Sequence, residues 1–462
     1  MHGTKVWRQT TAWIERSLLR APRTVYCRTV ATSSGGNDKS AKIDRIKGEK
    51  VLVDRSALFS GDSFREVTRK SKFKTPLENE LSQVILARGP ISVSEFMKQS
   101  LLHPTHGYYT SKRVFGSAGD FTTAPEISQV FGELIAIWCL STWQSMGMPS
   151  DLQIVEIGPG RGTLMFDMMR TFEKFPAFGG TCSYHLVEMS DKLQAAQQEK
   201  LSVLSSSSRA RWYKLFDEIP SEKPTIVIGQ EILDALPVYQ FEYTNRGWRE
   251  RLIDVATDET TGERAFRFVL SPGPTPASST LLAPAFETMP GFTSSSEDPK
   301  MNETFTVGDS IEVCPAACSL AQDISKRINA TGGAALFVDY GNDFAPSDSL
   351  RGIRDHKFCH PLERPGDIDL TADVDFAAVR RAVECLDGNV HVHGPTTQSE
   401  FLQKLGAVER FNQLQRSVDP SGREELESQF RRLLDPSAMG RVYKCLCISS
   451  SDIEGIVGFD GG

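Results

Sequence analysis

The sequence predicts an α/β protein: a doubly wound, largely parallel sheet preceded by a helical lobe and interrupted by an antiparallel insertion. Three observations carry that expectation. Apolar runs of strand length alternate with helical patterns from residue 151 onward. A glycine turn, Gly158-Pro159-Gly160-Arg161-Gly162, joins the first of those strands to the first of those helices. The composition, 39% hydrophobic and 24% charged over 462 residues, is that of a globular chain large enough for one domain with a lobe or for two domains.

Taken in order, Leu152 to Ile157 is a buried strand and Gly162 to Phe172 the helix behind it. Ser183 to Glu188 is the next strand, followed by a helix through Leu193 and Leu201. Trp212 to Phe216 and Thr225 to Gly229 are further strands, and a helix from Ala316 to Ile328 leads into another at Ala334 to Asp339. A helix near Val374 to Leu386, with strands near Val390 and at Val442 to Ile448, completes the sheet and bounds the main domain at 151–450. Inside it, Val238 to Val269 reads as antiparallel strands about the Asn245-Arg246-Gly247 turn. Residues 271–303, rich in Ser, Pro and Thr, read as a mobile surface insertion.

Residues 75–150 are expected to form a helical substrate or lid lobe over the active-site edge. Thr75 can cap a helix with Pro76 at its first position and Glu78 three residues on. Leu77, Leu81, Val84 and Ile85 recur at helical spacing, Gly89-Pro90 stops the helix, and Ser92 to Leu102 makes a second. The apolar run from Leu134 to Leu140 falls far short of the roughly 18 residues that span a membrane, and reads as a buried helix.

The first 33 residues stand apart. They hold six Lys or Arg against the single acid Glu15, and Trp7, Trp13, Ile14, Leu18 and Leu19 can share one helical face. That amphipathic, acid-poor start is the pattern of a mitochondrial transit peptide; the plainer alternative is a basic tail. Residues 34–74 are polar and read as a flexible leader. Removing the first 33 residues deepens the formal charge from −7 to −12, which argues against nucleic acid as a partner and suits a basic protein target. The nine cysteines include no CxxC, and the histidines form no convincing ligand set, so no metal site is expected.

The strand Ile154-Val155-Glu156-Ile157 ends beside an acid and runs into Gly158-x-Gly160-x-Gly162 before the helix starts. Glycines let a backbone turn sharply and approach a ligand closely, and a helix start offers unpaired N–H groups. A dinucleotide fingerprint wants its third glycine three residues after the second; here it follows by two. Acid-x-Gly-x-Gly-x-Gly instead resembles motif I of class I methyltransferases, where the loop holds the amino-acid moiety of S-adenosylmethionine. One unit later Glu188 ends a strand, placed to accept hydrogen bonds from both ribose hydroxyls. Asp217, after the next strand, suits an adenine contact or an ordinary turn. The cofactor-binding candidates are therefore Glu156, Gly158, Gly160, Gly162, Glu188 and Asp217.

After the fourth strand comes Gln230-Glu231-Ile232-Leu233-Asp234-Ala235-Leu236-Pro237. In class I methyltransferases this edge faces the methyl acceptor. Glu231 and Asp234 are the catalytic candidates, since two carboxylates can grip a guanidinium through charged, bidentate hydrogen bonds. The alternative is a pair of acids complementing a helix N-terminus.

Several blocks together resemble the MidA family, the mitochondrial complex I assembly factor 7 group of protein arginine methyltransferases. They include His103-Pro104 with Gly107-Tyr108-Tyr109, Gly119 to Glu126, Phe131 to Leu134 and Glu156 to Leu164. Further on come Glu231 with Asp234 to Pro237, Trp248-Arg249-Glu250, Val338-Asp339-Tyr340-Gly341 and Leu350-Arg351. Pro365-Gly366, Asp369-Leu370-Thr371-Ala372 and Val374-Asp375-Phe376 complete the set. The likeness runs in order from about 75 to 410, with 271–303 an extra insertion. It implies a Rossmann-like methyltransferase that uses S-adenosyl-L-methionine to dimethylate, symmetrically, an arginine ω-nitrogen of a complex I core subunit in the matrix. Three alternatives stand beside it: a nicotinamide-dependent oxidoreductase, a catalytically silent assembly chaperone that binds the cofactor, and a methyltransferase with another substrate.

Overall fold

A computed structural model describes residues 75–110, 123–257, 264–286 and 305–459. The expected transit peptide, the leader, residues 287–303 of the insertion and residues Gly119 to Thr122 lie outside the described residues.

The described chain opens with α1 (Pro76–Arg88), β1 (Ile91–Ser92), α2 (Val93–Leu102), α3 (Ala124–Ile127) and α4 (Gln129–Ser145). Then come β2 (Leu152–Ile157), α5 (Thr163–Phe172), β3 (Cys182–Val187), α6 (Asp191–Leu201), β4 (Ala210–Tyr213) and β5 (Thr225–Gln230). An excursion follows through β6 (Tyr239–Thr244), β7 (Gly247–Thr257), β8 (Arg264–Leu270), α7 (Pro276–Phe286) and β9 (Ser310–Val313). The chain returns with α8 (Pro315–Thr331), β10 (Gly333–Asn342), β11 (Arg351–Arg354), β12 (Lys357–Cys359), β13 (Asp369–Thr371), β14 (Val374–Asp375) and α9 (Phe376–Glu384). It ends with β15 (Val390–Thr397), three helices between 398 and 434, and β16 (Tyr443–Ser450).

The main sheet has the order β15-β16-β10-β5-β2-β3-β4, with β14 added to the end of β10. β10, β5, β2, β3 and β4 are parallel, while β16 runs antiparallel between β10 and β15. Strand residues alternate between two cores. Ile154, Tyr184, Ile226 and Leu336 face the first, and Val155, Val227, Phe337 and Leu446 the second. A sheet covered on both sides needs strands with apolar residues on both faces. The strand order reverses between β2 and β5, the switch point at whose strand carboxyl ends open α/β sheets have their ligand crevice.

The segment before the sheet divides in two instead of forming one lobe. α1 and α2 pack with Val238, Ile253 and Leu370 in a core shared with the antiparallel strands. α4 joins the main core, its Phe131 and Trp138 buried with Met168 and Phe172. Thr75 caps α1 as expected, accepting from the Glu78 N–H at 3.0 Å, and its own hydroxyl donates to the Pro365 carbonyl at 2.9 Å.

Two further expectations change. β4 stops at Tyr213, because the Glu218 carboxylate accepts from the Lys214 and Leu215 amides and closes a 3₁₀ turn over 216–218. The start of the supposed mobile insertion is a helix, α7, whose Leu282, Ala285 and Phe286 are buried with Phe241 and Ile311. Polar composition concealed that apolar face. No helix among the described residues is long and apolar enough to cross a membrane.

Candidate functional site

The glycine turn sits at the carboxyl end of β2, on the switch-point crevice. Gly158, Gly160 and Gly162 have φ of +66°, +52° and +73°, the left-handed region that side chains disfavour. A Cβ on Gly158 would come within 2.8 Å of Ile232 Cδ1; one on Gly160 would meet nothing within 4 Å. The loop therefore presents open space at Gly160 and packs tightly at Gly158. Behind it Glu156 is buried, with Oε2 lacking any hydrogen-bond partner. Burial pushes its pKa up to about 8, against the pull of the Met165 N–H and the Lys200 charge.

Glu188 follows β3. Its Oε1 accepts from the Ser190 N–H at 2.8 Å and its Oε2 from Gln197 Nε2 at 3.3 Å. Burial raises its pKa to about 7 even with those donors. Asp217 lies on the exposed 3₁₀ turn after β4. Arg161, within the glycine turn, pairs with Glu126 of α3 at 3.5 Å, which ties the Pro125 helix to the loop. The residues present fit an adenosyl cofactor: an unobstructed glycine cradle, an unpartnered buried carboxylate oxygen behind it, and a second carboxylate one strand over.

The second cluster lies across the switch point. Glu231 has φ of +50°, strained for a non-glycine residue, and its N–H donates to the Val338 carbonyl at 2.9 Å. Gln230 Nε2 donates to Glu231 Oε1 at 2.9 Å. Asp234 is buried, and its Oδ2 accepts from the Tyr340 hydroxyl and from Thr371 Oγ1. Asp234 Oδ1 and Gln230 Oε1 are buried acceptors with no partner. No helix begins here. The chain turns irregularly from 231 to 238 and enters β6, so the alternative of acids complementing a helix dipole falls.

What holds this turn is Asp339 of β10. Its Oδ2 accepts from the Leu233 and Asp234 amides at 2.9 and 3.3 Å, and its Oδ1 from the Tyr340 amide at 2.9 Å. Three carboxyl groups thus share one buried neighbourhood. Burial first, and then the Asp234 charge, pushes Glu231 up to about 8, while Asp234 and Asp339 are also raised. Arg351, whose charge is felt at Asp234, is itself paired with Asp373 at 2.7 Å and lies over the Tyr340 ring. Tyr109 donates to Asp369 at 2.9 Å on the same side.

The structure brings together the glycines, Glu156 and Glu188 in one group, and Glu231 and Asp234 in another. Sequence reasoning missed the roles of Gln197, Gln230, Asp339, Tyr340 and Thr371. Three of these stand in blocks that carried the family resemblance, Val338 to Gly341 and Asp369 to Ala372, and that was the only signal for them.

For Glu188→Ala we expect cofactor affinity to fall by roughly 1.5–3 kcal/mol, as when hydrogen bonds to a charged group are lost. Calorimetric titration with S-adenosylmethionine checks this, and a melting temperature close to wild type separates it from unfolding.

Comparisons with known proteins place the fold and the family of this chain. Residues 134–396 match the Methyltransf_28 family of S-adenosyl-L-methionine-dependent methyltransferases. A COG1565 superfamily structure from Burkholderia thailandensis, bound to S-adenosyl-homocysteine, is 25% identical with a TM-score of 0.65. It covers 83% of this chain, which covers 93% of it. A native crystal structure of a COG1565 superfamily protein from the same organism is 26% identical with a TM-score of 0.66. The chain is accordingly an S-adenosylmethionine-dependent methyltransferase with the Rossmann-like fold of that class. Within the class its relatives are specific. It is 37% identical over 390 residues to the Drosophila melanogaster mitochondrial protein arginine methyltransferase NDUFAF7 homolog, covering 80% of this chain and 84% of that protein. It is 38% identical over 390 residues to the Homo sapiens NDUFAF7 protein, covering 80% and 82%. The chain belongs to this family, the MidA family expected from its blocks.

Proposed function

We propose that this enzyme methylates an arginine ω-nitrogen on a respiratory complex I core subunit, in the mitochondrial matrix, in support of complex I assembly. The observation that carries the arginine reading is the acceptor turn. Glu231 and Asp234 stand beside two buried acceptor atoms with no partner, Asp234 Oδ1 and Gln230 Oε1. A guanidinium is planar, permanently charged and carries five N–H donors, so it matches such a set of acceptors better than an ammonium does. The names of the relatives, mitochondrial protein arginine methyltransferases, support the same reading. Symmetric dimethylation and the complex I substrate rest on the family resemblance. In this proposal the first 33 residues direct import, 34–74 form a leader, and 151–450 form the methyltransferase domain.

Glu156, Gly158, Gly160, Gly162 and Glu188 would hold the cofactor, with Asp217 at its adenine end. When bound, S-adenosylmethionine supplies an electrophilic sulfonium methyl group. The chain's own residues do the rest. Glu231 and Asp234 fix the guanidinium so that one nitrogen points across the switch point, where alignment alone supplies much of the rate. Pairing the carboxylates with the other N–H groups draws positive charge away from that nitrogen and leaves its lone pair more available. Tyr340 and Thr371 lock Asp234, and Asp339 locks the backbone beneath it. A bound cation favours the ionised form of Glu231, so a proton held at rest leaves to water as the acceptor enters, and the methylated nitrogen in turn gives up its own N–H proton to water.

Incubation with isotope-labelled S-adenosylmethionine and complex I core subunits, followed by mass-spectrometric mapping, tests the proposal. The expected result is label on an arginine as the symmetric dimethyl form. A preparation that binds the cofactor yet labels no subunit would overturn the proposal in favour of a silent chaperone or a methyltransferase with another substrate.

A further inference from the structure

We infer that Gln197 is a positioning residue of the cofactor site, one amide that fixes the glycine loop and the Glu188 carboxylate relative to each other. The inference rests on the reading that Gly160 and Glu188 hold the cofactor. Gln197 lies on α6, in a run of residues that looks like an ordinary solvated helix, Gln194-Ala195-Ala196-Gln197-Gln198-Glu199-Lys200. Its side chain is instead wholly buried, with 0% exposure. Nε2 donates to the Gly160 carbonyl at 2.8 Å and to Glu188 Oε2 at 3.3 Å, and Oε1 accepts from Trp212 Nε1 at 2.9 Å. One side chain thus links the loop after β2, the tip of β3 and strand β4.

Donor and acceptor chemistry fixes which way the amide faces. An indole N–H only donates, so Oε1 must face Trp212; a carbonyl and a carboxylate only accept, so Nε2 must face Gly160 and Glu188. Glutamate would set an oxygen against both acceptors. A hydrocarbon would leave the buried Glu188 oxygen without its donor, at a cost comparable to a lost hydrogen bond, and remove the partner of the Gly160 carbonyl and the Trp212 indole N–H.

The contacts fall where the site has most freedom to lose. Gly160 has no Cβ and no neighbour on its open side, so little else defines the orientation of its peptide group. Holding its carbonyl toward α6 turns the N–H of Arg161 the opposite way, because the peptide is planar and trans. Glu188 is held by backbone groups of its own turn, chiefly the Ser190 N–H on Oε1, while Gln197 is the side chain that donates to Oε2. The helix also lies so close that a Cβ on Gly162 would come within 3.1 Å of Gln197 Cγ, which gives the third glycine its reason.

Gln197→Met, the nearly isosteric Gln197→Glu, Glu188→Gln and the Glu188→Gln/Gln197→Met pair are titrated with S-adenosylhomocysteine by calorimetry, each with a melting curve. Gln198→Met, an exposed neighbour on the same helix, is the control. We expect each Gln197 variant to lose about tenfold or more in affinity, the scale of a hydrogen bond to a charged group, with the control unchanged. The paired variant should lose less than the product of the two single losses, because both act on one contact. Losses that multiply independently would reduce Gln197 to a general packing role and overturn the inference. So would wild-type affinity in folded Gln197→Met and Gln197→Glu proteins while Glu188→Gln binds weakly. If Glu188→Gln also binds normally, the cofactor reading itself has failed, and the inference falls with it.

Discussion

Glu231→Gln will bind S-adenosylmethionine almost as the wild type does and transfer its methyl group about 100-fold more slowly, equivalent to ~2.7 kcal/mol of transition-state stabilisation. Glutamine keeps the shape and can still meet Gln230, but it loses the charge that pairs with a guanidinium. The structure adds a second signature. The Glu231 pKa rises from 4.5 to about 8 on folding, so between those values the folded chain holds a proton that the unfolded chain has released. Stability from this group is therefore complete below about pH 4.5 and is lost as pH rises toward 8. Glutamine cannot titrate. The ligand-free variant should match the wild type near pH 5 and melt higher than it at pH 8. Single-turnover transfer and melting curves at both pH values check the pair of effects. Normal transfer by the folded variant would remove Glu231 from the acceptor site.

The second large effect is expected at Gly160. Gly160→Val should abolish measurable cofactor binding, at least about 100-fold or ~2.7 kcal/mol, in a protein that still folds. A Cβ there touches nothing within 4 Å, so the added side chain projects into open space that the proposed site assigns to the cofactor. The φ of +52° adds strain of roughly 1–2 kcal/mol for an L-residue, which a chain of this size can bear. Gly158 is a poorer test, because a Cβ at that position collides with Ile232 and disturbs the acceptor turn as well. Calorimetry on a variant with normal circular dichroism decides the matter; unchanged affinity would move the cofactor away from this loop.

The two halves of the proposed site differ in how far the sequence points to them. The proposed cofactor half is local. Glu156, the three glycines and Glu188 fall within two successive strand–turn–helix units, so spacing alone marks them. The acceptor half is assembled from distant pieces. Asp234 meets Tyr340 from 106 residues away and Thr371 from 137, and no periodicity reports such contacts. Gln197 was hidden for another reason: a buried glutamine inside a polar helix has the same one-letter signal as an exposed one. In the fold, β2, β3 and β5 were legible because strands covered on both faces are rich in apolar residues on both sides. The α4 helix was legible as a helix but not in its placement, since residues apolar on most sides do not say which core they join. The α7 helix was lost to its serines and prolines.

The order of strands also bears on how the chain is made. β16, at 443–450, lies between β10 and β15 and pairs with β10 along seven residues. Until those last residues are delivered, β10 has an open edge in the middle of the sheet, more than a hundred residues behind its folded neighbour β5. An unpaired central strand invites pairing with another chain. Synthesis must also close the long excursion from β6 to α8 before β10 can dock, and such non-local pairings are slow to form. A transcript or processing error that stops short of Tyr443 is therefore expected to yield an aggregation-prone fragment, in which the parallel strands and the glycine loop are present but the β10 edge stays open.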